Sequence, residues 1–122
     1  MNGAIMIRWG ASIPGRELSG LDVFGKAIAY FEGLAKSGRV HGHHEFVSVT
    51  GNPGGFMMAW GDLDEIMKIL VEEQTLKLNN QASAIVSDFE IQAYAGGTDS
   101  AIQQLIGDYT GSLQEIGLMQ SS

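Results

Sequence analysis

The stretch Gly38–Trp60, GRVHGHHEFVSVTGNPGGFMMAW, decides the fold. Phe46, Val47 and Val49 suit a strand, and Thr50-Gly51-Asn52-Pro53-Gly54-Gly55 is dense turn chemistry. Phe56 to Trp60 reads as the returning strand, apolar on both faces and therefore central. A hairpin thus occupies the middle of the chain, with a helical pattern on either side.

Towards the N-terminus, Phe24, Ala27, Ile28, Phe31, Leu34 and Ala35 recur at spacings of three and four, the apolar stripe of a helix. The S-x-x-D pattern from Ser19 to Asp22 predicts a capping box at its start. Gly38 predicts a left-handed end, with Lys36 and Arg39 favourable near the last carbonyls. A loop carrying Pro14 precedes it. Ala4–Trp9, AIMIRW, predicts a strand with Ile5, Ile7 and Trp9 on one face and Ala4, Met6 and Arg8 on the other. Both faces are largely apolar, so this strand is also expected to be central.

Towards the C-terminus, Asp62-Leu63-Asp64-Glu65 marks the start of a second helix through Ile66, Met67 and Leu70. Glu72 to Asn80 either extends that helix or breaks into a short turn. Ala84–Ala95 alternates: Ile85, Phe89, Ile91 and Ala93 face one way, and Val86, Asp88, Glu90, Gln92 and Tyr94 the other. Thr98 or Asp99 can cap a last helix with the stripe Ile102, Leu105, Ile106, Tyr109, Leu113 and Ile116. Gly107 and Gly111 each weaken it by about 1 kcal/mol relative to alanine, which leaves room for a kink or an early stop.

The order β-α-β-β-α-β followed by a helix predicts an α+β split βαβ sandwich with a four-stranded antiparallel sheet. The reading treats residues 1–122 as one domain, with a core over 4–95 and a helical extension over 98–118. Two helices cover one face of such a sheet. The other face keeps Met6 and either Met57 or Met58. An exposed apolar face on the order of several hundred Å² is uncommon in a monomer, which predicts a homodimer.

On its element order, the GGFMMAW strand running into DLDEI and the terminal strand FEIQAY, the chain resembles the dimeric α+β barrel group of ferredoxin-like proteins. The resemblance covers Ala4 to Ala95. It implies two sheets packed face to face around a cavity, and a small organic ligand within it. Cofactor-independent monooxygenase or isomerase-like chemistry is what it implies about activity. A non-catalytic binding module is the alternative. YCII-like members pair a histidine near the first helix with an aspartate after the second; here that helix has no histidine and the later segment reads LNNQAS.

Composition narrows the classes further. A net charge of -7 with only seven basic residues argues against nucleic acid and anionic membranes. No cysteine is present, which removes disulfides, thiol nucleophiles and thiolate metal sites and fits a cytoplasmic protein. No run of eighteen apolar residues predicts a membrane span. The glycine clusters lack the phosphate-loop forms and no catalytic motif is present, so no cofactor is expected.

The three histidines lie together at His41, His43 and His44. On a strand, His41, His43 and Glu45 share a face, a spacing that can ligate a borderline divalent metal or supply a general base. Arg8 interrupts an apolar strand, and Glu90 or Asp88 on the neighbouring last strand is its expected partner. Arg8, Glu90, Gln92 and Tyr94 are expected to line the bare sheet face together with His43 and Glu45, as ligand-binding residues. His43, Arg8 and Glu90 are the catalytic candidates among them. Trp9, Trp60, Met57 and Met58 are candidates for an apolar ligand wall, or else plain core.

Overall fold

The structure is a computed structural model and describes residues 1–119. Four strands, β1 (Asn2–Trp9), β2 (Gly42–Val47), β3 (Gly55–Asp62) and β4 (Glu90–Ala95), form one antiparallel sheet in the order β2-β3-β1-β4. The helices are α1 (Glu17–Lys36), α2 (Leu63–Leu70), α3 (Glu73–Ser83) and α4 (Asp99–Glu115). Both apolar-faced strands, β1 and β3, are central, as their composition requires.

The core lies between the sheet and its helices. Ile5 and Ile7 of β1, Met57 and Ala59 of β3, Phe31 and Leu34 of α1, and Ile66 and Ile69 of α2 are buried together. Full burial of each such branched side chain stabilises the fold by roughly 1.5–3 kcal/mol. α2 begins where expected, with the Asp62 carboxylate accepting the Asp64 N–H at 2.9 Å. The segment after it breaks at Val71 and restarts as α3, which packs on α1.

Two local expectations are corrected, at the start of α1 and in the extent of β4. Helix α1 starts at Glu17, so the Ser19–Asp22 capping box is unused. Gly15 turns at φ +84°, its N–H bonds the Glu17 carboxylate, and Arg16 O accepts Gly20 N–H, which starts the helix early. Strand β4 is shorter than the alternating run from Ala84. Asp88 at φ +55° interrupts it, and residues 85–87 pair instead with residues 10–13 through Gly10 N–H to Ser87 O and Ile13 N–H to Ile85 O. Helix α4 runs without interruption through Gly107 and Gly111. Gly38, at φ +79°, closes α1 as predicted, with Arg39 N–H returning to Leu34 O.

Helix α4 is capped by the Thr98 hydroxyl, which accepts the Ala101 N–H, and touches the rest of the fold mainly near β4. Ile102, Ile106, Tyr109 and Ile116 on its stripe are exposed. The second face of the sheet is therefore not roofed by this helix.

Candidate functional site

Register assigns every strand residue to a face. On the open face three cross-strand rows run from β2 to β4: Gly42–Trp60–Ala4–Tyr94, His44–Met58–Met6–Gln92 and Phe46–Phe56–Arg8–Glu90. Six of these twelve residues are Trp, Phe, Met or Ala, and stacking of Phe46 on Phe56 at 4.8 Å joins the edge strand to β3. Arg8 faces Glu90 across the ladder, with Nε 3.8 Å from the carboxylate, and both are more than half exposed. Such a pair contributes about 0–1 kcal/mol. The Tyr94 hydroxyl donates to the Gln92 side chain beside it.

The predicted ligand-binding set is divided by this register. Arg8, Glu90, Gln92 and Tyr94 stand on the open face as expected. His43 and Glu45 do not join them: His43 is opposite Ala59 and Glu45 opposite Met57, so both point to the helix-covered side. His44 takes the open face instead, 4.9 Å from the Trp60 ring. The physical reason is that alternation groups residues in pairs without saying which group meets the helices.

On the covered side His43 bridges two elements. Its Nε2 lies 2.7 Å from Glu32 of α1 and its Nδ1 2.5 Å from Glu45. Both ring nitrogens can bond carboxylates only when both carry protons. Bonding to Glu32 accordingly raises the His43 pKa, and burial opposes it. His41 precedes the strand and is exposed. Among the described residues no three His, Asp or Glu side chains are placed to hold a metal, so the His41, His43, Glu45 set is not assembled.

A half-open pocket lies on the same side, between the sheet, α1 and α3. It measures about 310 Å³, and its walls include Trp9, Phe24, Phe31, Met57, Leu78 and Phe89. Trp9 and Phe24 meet edge-tilted at 5.3 Å. Of the expected apolar wall, Trp9 and Met57 line this space, whereas Trp60 and Met58 belong to the open face. The polar members include Tyr30 and Thr75, whose hydroxyls are 2.8 Å apart. Tyr30 Oη also donates to Glu72 at 3.3 Å, and Arg39 binds Glu72 and, at 2.6 Å, Glu65. Burial raises the Tyr30 pKa; Arg39 lowers that of Glu72.

Tyr30 and Thr75 were not singled out by sequence reasoning. Tyr30 follows Ala27 by three residues and precedes Leu34 by four, so it lies on the helical stripe, and Thr75 precedes Leu78 and Ala82 on α3 at helical spacing. Those spacings were the available signal.

No protein-family model matches the chain, and no curated protein matches it. Solved structures do. SnoaB of Streptomyces nogalater, a cofactor-independent oxygenase, superposes with TM-score 0.61 at 15% identity, over 80% of this chain and 94% of that one. A dimeric ferredoxin-like protein of unknown function from Jannaschia sp. CCS1 gives TM-score 0.59 at 12% identity, over 79% and 100%. A dimeric ferredoxin-like protein from Bacteroides fragilis gives 0.55 at 10%, over 76% and 94%. No helix among the described residues is long and apolar enough to cross a membrane. At these identities the likeness is one of fold: the chain has the ferredoxin-like α+β architecture of these structures.

Proposed function

We propose that this protein binds a small apolar organic molecule in the space between the sheet, α1 and α3, and pairs with a second copy through its open sheet face. The cavity itself carries the reading. Its size falls at the lower end of small-molecule pockets, its walls are mostly aromatic and aliphatic, and a few polar groups stand at one part of the lining. The ligand therefore sits inside one protomer rather than between two facing sheets.

Titration calorimetry with 2-methoxynaphthalene, a neutral apolar probe, tests it. Ala27 lines the cavity from α1. Ala27→Trp fills the space and is expected to weaken binding at least about tenfold. Undiminished affinity in a folded Ala27→Trp protein would overturn the reading.

A second reading, oxygenase chemistry without a cofactor, is supported by the shared fold with SnoaB. It predicts oxygen uptake with naphthol-type substrates that disappears in Ala27→Trp. Turnover of such a ligand without oxygen uptake would favour isomerase-like chemistry, and occupancy without turnover a binding module.

A further inference from the structure

We propose that Tyr30 sets the ligand class of this cavity: a neutral molecule that donates a hydrogen bond to the Tyr30 hydroxyl oxygen, with anions excluded. The proposal rests on the cavity reading above and goes beyond it by naming the ligand's polarity and the residue that reads it.

The argument is one of hydrogen-bond accounting. A tyrosine hydroxyl has one proton to donate, and a carboxylate can only accept. Tyr30 therefore gives its proton to Glu72, and the Thr75 hydroxyl gives its own to Tyr30. Both protons are committed within the protein. What Tyr30 and Thr75 have left to offer a ligand is lone pairs. A ligand hydroxyl or N–H satisfies them; a carbonyl or an ether does not. Asn79, one turn beyond Thr75 on α3, adds a neutral amide to the same lining and leaves its charge unchanged.

Electrostatics selects in the same direction. Among the described residues no lysine, arginine or histidine lines the cavity, and the one charged residue that does is Glu17. Behind Tyr30 stands the Glu72 carboxylate, paired with the Arg39 guanidinium, and Arg39 in turn binds Glu65, whose other oxygen lies 4.0 Å from Lys68 Nζ. An anionic ligand entering this cavity would lose its hydration and meet walls whose one charge is the Glu17 carboxylate. A neutral donor meets neither obstacle. The Tyr30 hydroxyl stays protonated and bound to Glu72, since burial disfavours its ionised form.

Three probes of one shape test the assignment by calorimetry at pH 7: 2-naphthol, 2-methoxynaphthalene and 2-naphthoate. The wild type is expected to bind 2-naphthol about tenfold more tightly than its methyl ether, and 2-naphthoate at least about tenfold more weakly than 2-naphthol. Tyr30→Phe should erase the gap between naphthol and ether. Glu72→Gln should narrow the penalty on naphthoate. Naphthoate binding as tightly as naphthol, or a naphthol preference surviving in Tyr30→Phe, would overturn this assignment alone. If none of the three probes binds the wild type, the cavity reading falls and this proposal falls with it.

Discussion

Nε2 of His43 lies 2.7 Å from Oε2 of Glu32, a bond that ties edge strand β2 to the C-terminal part of α1. With Glu45 on the other ring nitrogen, the imidazole is held between two carboxylates and favours its charged form. The His43 pKa is raised in the folded protein, so its contribution to stability is fully present below its unfolded value of 6.5. That contribution is lost as pH rises through the folded pKa. The Glu32 carboxyl is shifted the opposite way by the same bond, and its contribution fades as pH falls below its unfolded value of 4.5. Urea denaturation is expected to show stability declining above pH 6.5, and His43→Phe should flatten that decline. An unchanged slope in the variant would refute the clamp.

Gly54 and Gly51 share the turn between β2 and β3 and share positive φ, at +107° and +96°. They differ in space. A Cβ on Gly54 would sit 2.0 Å from the Trp9 carbonyl oxygen, whereas one on Gly51 meets nothing within 4 Å. Gly51→Ala is expected to cost about 1 kcal/mol through backbone strain alone. Gly54→Ala should cost clearly more, because β1 must move to admit the methyl group. Comparing the two midpoints in chemical denaturation checks this, and equal midpoints would contradict it.

Met58 lies at the centre of the open face, between His44 and Met6. If this face is the self-association surface, Met58→Glu places a carboxylate in the middle of the buried contact and should yield a monomer by light scattering. Met67→Glu, an exposed position on α2, is the control expected to leave the oligomer intact. A wild-type protein already monomeric at micromolar concentration would exclude the pairing.

Arg39 separates Glu65 from Glu72, and each carboxylate takes a different nitrogen of the guanidinium. Arg39→Ala leaves two part-buried carboxylates without their shared cation, at an expected cost of about 1–2 kcal/mol. Adding Glu65→Gln should recover part of that loss, since the repulsion then disappears. Failure of the second substitution to recover any stability, measured in urea, would show that the carboxylates do not interact.

Much of the fold could be read from the residues because local patterns agreed with one another. The turn chemistry of Thr50–Gly55 and the Asp62 cap stand where the chain requires them, and strands β1 and β3 are apolar on both faces because both are central. The start of α1 was misplaced because Gly15 and the Glu17 carboxylate complete the turn before Ser19 is needed. The candidate site was less legible. Glu90, one of the two partners expected for Arg8, faces it across the ladder, since neighbouring strands follow from element order. Tyr30 was missed because its meaning depends on Thr75 and Glu72, more than 40 residues away and on a helix whose boundaries composition left open.

The sequence by itself determined which residues travel together: alternation binds His43 to Glu45 and His44 to Phe46, and helical spacing binds Phe31 to Leu34. Only the tertiary structure decided which group meets the helices and which meets the open side. A two-residue period has no sign of its own, and the sign comes from pairing: His43 opposite Ala59, and Ala59 opposite Ile5 in the buried core. The cavity and its polar corner likewise exist only once α1 and α3 are packed over that buried side.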